Sequence, residues 1–157
     1  MENKTLRELF FDVLSGIYDS TDIELTEVEL GEENDIQFCY MERDYHWLYV
    51  DEKDIKTVEL CDHYPANFKD NDEELKAVHL FNQINKKFKM VKMFHDEETG
   101  DITARVDLFV SGIQPAGNFF LFNDKERFIE NLLLALSALW EATNYFFDEM
   151  ATGIARR

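Results

Sequence analysis

Residues 90–110 constrain the fold more than any other part of this chain. After Met90 the sequence reads Val-Lys-Met-Phe-His, then Asp-Glu-Glu-Thr-Gly, then Asp-Ile-Thr-Ala-Arg-Val-Asp-Leu-Phe-Val. Ile102, Ala104, Val106, Leu108 and Val110 fall on one side of a strand, and Thr103, Arg105 and Asp107 on the other. That period of two is what a sheet with one buried and one wetted face requires. Glu97-Glu-Thr-Gly100 makes the turn, with Gly100 supplying a positive φ. A long apolar helix follows, placed to cover the buried face.

The rest of the chain extends the pattern. Leu6, Leu9, Phe10, Val13, Leu14 and Ile17 form one helical stripe, and Thr5-Leu-Arg-Glu8 has the spacing of a capping box. The first helix is therefore expected from Thr5 to about Tyr18, ended by Asp19-Ser-Thr-Asp22. Strands follow at Ile23–Leu30, Ile36–Met41, Tyr45–Val50 and Lys56–Asp62, separated by turns at Gly31–Asp35, Glu42–Asp44 and Asp51–Asp54. Glu27 and Val28 break the alternation of the first, which suggests a bulge or a sheet edge. The second alternates Ile36, Phe38 and Tyr40 with Gln37, Cys39 and Met41, as in a strand covered on both faces. Spacing of this kind reads as an antiparallel meander. A second helix is expected from Asp72 to Lys87, with Leu75, Val78, Phe81, Ile84 and Phe88 on one side. Ser111–Gly117 reads as a loop, and Asn118–Phe122 either as a short strand or as the lead-in to a last helix over Asp124–Met150, capped by Asn123. The expected class is α+β in α-β-β-β-(β)-α-β-β-α order, one domain over residues 1–157, with 151–157 as a flexible tail.

Composition narrows the partners. There are 33 acidic residues against 16 basic, a formal net charge of −17. Such a surface repels phosphate backbones and anionic lipid, so neither nucleic acid nor membrane is expected as a partner. A hydrophobic content of 45% with 14 phenylalanines excludes a disordered polar chain. The start of the sequence has no basic stretch leading into an apolar one, and Leu132–Trp140 is too short to span a bilayer, so the cytoplasm is the expected address.

No reaction chemistry stands out. His46, His63, His79 and His95 form no HxH or HxxxH pair, and Cys39 and Cys61 belong to no CxxC motif, so no metal or cofactor is expected. Cys61-Asp-His63 places a thiol and an imidazole on one face of a strand, yet nothing nearby lowers the thiol pKa. A partly buried cysteine beside a surface histidine is the expected arrangement. Asp70-Asn-Asp72 lacks the glycine and the later glutamate of a calcium loop and suits a helix start instead. Tyr45, Trp47 and Tyr49 line one strand face without basic companions, so core packing or a protein-binding surface is expected rather than a base-stacking platform. No catalytic residue is assigned.

Two features point towards binding. The apolar arc of the last helix is wider than one small sheet needs, and Leu134 and Tyr145 interrupt its polar side. Leu133, Leu134, Leu136, Trp140, Tyr145 and Phe147 are therefore the expected dimer or partner surface. Asn82 and Asn85 share a helix face and are expected to bond strand or loop backbone where helix meets sheet.

Asn82-Gln-Ile-Asn85, Lys86-Lys-Phe88-Lys89, Phe94-His-Asp96, Gly100-Asp101 and the alternating strand to Leu108 resemble the C-terminal half of the YbjN family. These bacterial proteins are labelled sensory transduction regulators and share the fold of class I type III secretion chaperones. The resemblance implies a chaperone-like, usually dimeric protein that binds another polypeptide without catalysis. The resulting expectation is a homodimeric protein-binding module. The alternative is an acidic inhibitor or immunity-type protein that blocks a basic enzyme or toxin.

Overall fold

The computed structural model describes residues 4–17, 25–31, 34–49 and 57–152, and its architecture is α+β. In chain order the elements are α1 (Leu6–Ser15), β1 (Thr26–Leu30), β2 (Asp35–Tyr40), β3 (Arg43–Tyr49), β4 (Thr57–Pro65) and α2 (Asn71–Lys87). There follow β5 (Val91–His95), β6 (Asp101–Phe109), β7 (Ile113–Ala116), β8 (Phe119–Phe122) and α3 (Lys125–Thr152). Six strands form an antiparallel sheet in the order β1-β2-β3-β4-β6-β5, and β7 and β8 form a separate ribbon. The expected helix end at Asp19–Asp22, the strand start at Ile23, the turn at Asp51–Asp54 and residues 153–157 of the expected tail lie outside the described residues. The chain divides into two compact units, Met1–Leu60 with Asp107–Leu134, and Cys61–Val106 with Ala135–Arg157.

In the first unit, the Thr5 hydroxyl accepts the Glu8 N–H at 3.2 Å and donates to Glu8 Oε1 at 3.1 Å, which fixes the start of α1. All six residues of the sequence stripe, Leu6 to Ile17, are buried. Phe10 lies edge-on to Trp47 at 5.3 Å and to Tyr49 at 5.0 Å, and stacks on Phe128 at 5.9 Å. The strand face of Tyr45, Trp47 and Tyr49 is thus core, each ring 5% exposed or less.

Four expectations in this unit need correction. The β2–β3 turn is Met41-Glu42, not Glu42–Asp44: Tyr40 pairs with Arg43, and both turn residues have positive φ, 50° and 66°. That is the I′ conformation whose twist suits a two-residue hairpin, although it is normally supplied by Asn-Gly. Strand β2 is buried on one face only, since Gln37 is exposed and Cys39 half-buried. Residues 113–122 form a hairpin, turning at Gly117 with φ 67° and pairing Pro115 with Phe120. Its proline and short strands hid it from an alternation test. The cap of α3 is Asp124, whose Oδ1 accepts the Arg127 N–H at 3.1 Å, whereas Asn123 donates instead to Gln114 Oε1.

The break at Glu27-Val28 is a β-bulge on an edge strand. Thr26 pairs with Cys39 and Glu29 with Gln37, so three steps along β1 match two along β2, and Glu27 has φ 52°.

In the second unit, Asp70 caps α2, its Oδ1 accepting the Glu73 N–H at 2.9 Å. Acids fill the first turn of α2 and Lys86 and Lys87 the last, complementing the helix dipole. The buried side of α2 is Ala77, Leu80, Phe81 and Ile84; Leu75 and Val78 are exposed, against expectation. The reason is angular. Steps of three residues turn about 300° each, so a stripe drawn through 75, 78, 81 and 84 drifts by about half a circle. Phe81 stacks on Phe146 at 5.3 Å, and Lys76 Nζ donates to the Met150 carbonyl near the C-terminal end of α3 at 3.0 Å. In β6, Ile102, Ala104 and Val106 are buried as the alternation required, and Thr103 is buried on the other side.

Candidate functional site

The surface expected from the sequence separates into buried and exposed members. In the first unit, Leu133 is half-buried and Leu134 is 65% exposed. In the second, Leu136 is fully buried in the core, Trp140 and Tyr145 are half-buried and Phe147 is 38% exposed. Leu136 therefore has no surface to offer a partner. Tyr145 is held by its neighbours: Lys87 Nζ lies 4.4 Å from its ring centroid and Phe88 packs at 6.0 Å. Phe147 meets Tyr64 edge-on at 4.7 Å, which leaves its outer edge in water. On α2, Leu75 is 66% and Val78 44% exposed. Together with Asn82 they form a stripe at i, i+3 and i+7 on the outward side of that helix.

The two asparagines have different surroundings. Asn85 reaches from α2 to β5, donating from Nδ2 to the Met93 carbonyl at 3.2 Å and accepting the Met93 N–H on Oδ1 at 2.8 Å. The amide thereby occupies both backbone groups of an edge-strand residue, as a further strand would. Asn82 is exposed on the outer stripe.

Three side chains of the second unit line up as thiol, imidazole and hydroxyl. Cys61 Sγ is 3.6 Å from His63 Nε2, and His63 Nδ1 is 3.0 Å from Thr103 Oγ1. Two-residue spacing on β4 puts Cys61 and His63 on one face, as the sequence indicated. Cys61 is only 2% exposed and Thr103 5%, while His63 is exposed to solvent. In this arrangement the histidine ties β4 to β6; the sulfur cannot reach an external carbonyl without the strand moving. On the opposite face Asp62 is 1% exposed and accepts the Tyr64 hydroxyl at 2.6 Å, a buried carboxylate that strand alternation gave no reason to expect.

The first unit has an open cleft of about 280 Å³ lined by Glu27, Glu29, Gln37, Phe38, Asp44, Tyr45 and His46. It lies over the wetted face of β1–β3, and sequence reasoning missed it. Its members are far apart in the chain and meet only through the bulge and the true hairpin register. Cys39 faces Asp44 directly across the β2–β3 pair, and Gln37 faces His46. A turn placed at Met41-Glu42 would have given both pairings.

No helix among the described residues is long and apolar enough to cross a membrane. Comparison with protein-family models, with curated proteins and with solved structures finds no match to this chain.

Proposed function

We propose that this chain is a non-catalytic protein-binding module of chaperone-like or regulatory type that works as a homodimer. The observation that carries the reading is the set of large apolar side chains held in water on the long helices: Leu75 and Val78 on α2, Leu134 and Phe147 on α3. Burying one such side chain contributes about 1.5–3 kcal/mol. Several together are needed to offset the cost of association. On α2, Leu75 and Val78 lie one turn apart and can enter the same groove of a docked helix, adding their burial at one contact. The net charge of −17 keeps such a surface soluble and favours a client with basic flanks.

Light scattering on the purified chain tests the dimer. The expected mass is twice 18.6 kDa, and Leu134→Glu is expected to return it to the single-chain value. A wild type that stays monomeric at high concentration removes the homodimer. A Leu134→Glu protein that remains dimeric removes that part of α3 from the interface.

A further inference from the structure

We propose that Glu27, Cys39 and Asp44, at the border of the cleft over β1–β3, bind a divalent transition-metal ion of the zinc class, with water in the fourth position. One ligand atom from each of Glu27, Cys39 and Asp44 lies within 4.8 Å of the other two. Tetrahedral zinc with oxygen and sulfur ligands holds its donors about 3.5 Å apart, so side-chain movements of about 1 Å close the set. Glu27 and Asp44 are exposed and Cys39 half-buried, so all three have room for that adjustment.

The donors come from three adjacent strands. Cys39 and Asp44 are cross-strand partners on β2 and β3. On β1 the partner of Cys39 is Thr26, and the bulge that follows makes Glu27 the third donor. His46 is two residues beyond Asp44 on the same face of β3 and lines the same cleft. Its Nδ1 is 3.2 and 3.3 Å from the two carboxylate oxygens of Asp35. Held to Asp35, His46 borders the site without being one of its ligands.

The donor types choose the ion. A thiolate beside two carboxylates suits zinc, or cobalt as its spectroscopic substitute, over calcium or magnesium, which want oxygen alone. The acidic runs at Asp70–Glu74 and Asp96–Glu98 contain no thiol, which sets this site apart from them. As the metal–sulfur bond forms, the Cys39 thiol proton passes to solvent. The ion would pin the bulged edge strand to the hairpin behind it. This inference is independent of the protein-binding reading.

The test is cobalt titration of the full chain after chelator treatment. The expected result is a near-ultraviolet thiolate-to-cobalt charge-transfer band with visible bands of a tetrahedral site, all bleached by added zinc. Cys39→Ser is expected to abolish the charge-transfer band, while Cys61→Ser keeps it, because the second thiol is elsewhere. Asp44→Asn is expected to weaken cobalt at least tenfold, and circular dichroism reports whether each variant is folded. A folded wild type without the band overturns the proposal, as does a band that survives Cys39→Ser or is lost in folded Cys61→Ser.

Discussion

Gly112 shows how much one residue can decide. Its φ is 81°, and a Cβ added there would lie 2.1 Å from the Asp124 carbonyl oxygen, an approach no flexible side chain can relieve. Its own carbonyl accepts the N–H groups of Asn123 and Asp124, so the start of α3 is built on this glycine. Gly112→Ala is expected to destabilise the protein by about 2–4 kcal/mol. Gly100→Ala, with φ 77° but open space around it, is expected to cost only about 1 kcal/mol. Urea titration of the two variants checks the ratio, and equal midpoints would refute the role given to Gly112. The sequence showed Gly100 as a turn residue because acids and a threonine precede it between alternating strands. Nothing local marked Gly112, since its neighbour Asp124 is brought to it by a hairpin the alternation test did not find. Buried Asp62 was equally invisible, because its partner Tyr64 is matched to it by packing and not by any motif.

At the scale of elements, the β2–β3 turn determines which side chains meet. Met41 and Glu42 both hold positive φ without the asparagine or glycine that makes this easy, each at a cost of order 1 kcal/mol or more. Replacing the pair, Met41→Asn with Glu42→Gly, is expected to stabilise the fold by about 1 kcal/mol and raise Tm by about 2–4 °C. A lowered Tm would mean that Met41 or Glu42 contributes packing that the turn geometry does not reveal. The same variant keeps Cys39 opposite Asp44 and is expected to bind cobalt as the wild type does. Alternation made the strands legible, and the stripe of α1 was legible for the same reason. Register was not, because Glu-Arg-Asp looks more like a turn than Met-Glu does. Placing the turn at Glu42–Asp44 shifts the pairing by three residues, sets Cys39 against Trp47 and hides the cleft. The outer stripe of α2 was lost to a similar error of phase, since Leu75 and Val78 look like core partners of Ile84 until the rotation is followed.

For the molecule as a whole, −17 charges on 157 residues set a standing repulsion that folding must overcome. Raising sodium chloride from about 10 mM to about 0.5 M shortens the screening length several-fold and is expected to raise Tm by a few degrees. A flat or falling Tm would show that the acids are already compensated within the fold. Charge was readable from composition, but its clustering into a cleft was not, because that depends on which strands are neighbours. The two units carry a further consequence. Each is assembled from separated stretches of chain, the first closing only at Leu134 and the second drawing on Ala135 onward. A ribosome therefore releases the aromatic strands of β2 and β3 well before Phe128 exists to cover Trp47. During synthesis the nascent chain has to wait, with its greasiest hairpin uncovered, for a helix that comes only after β4, α2 and the strands β5 to β8.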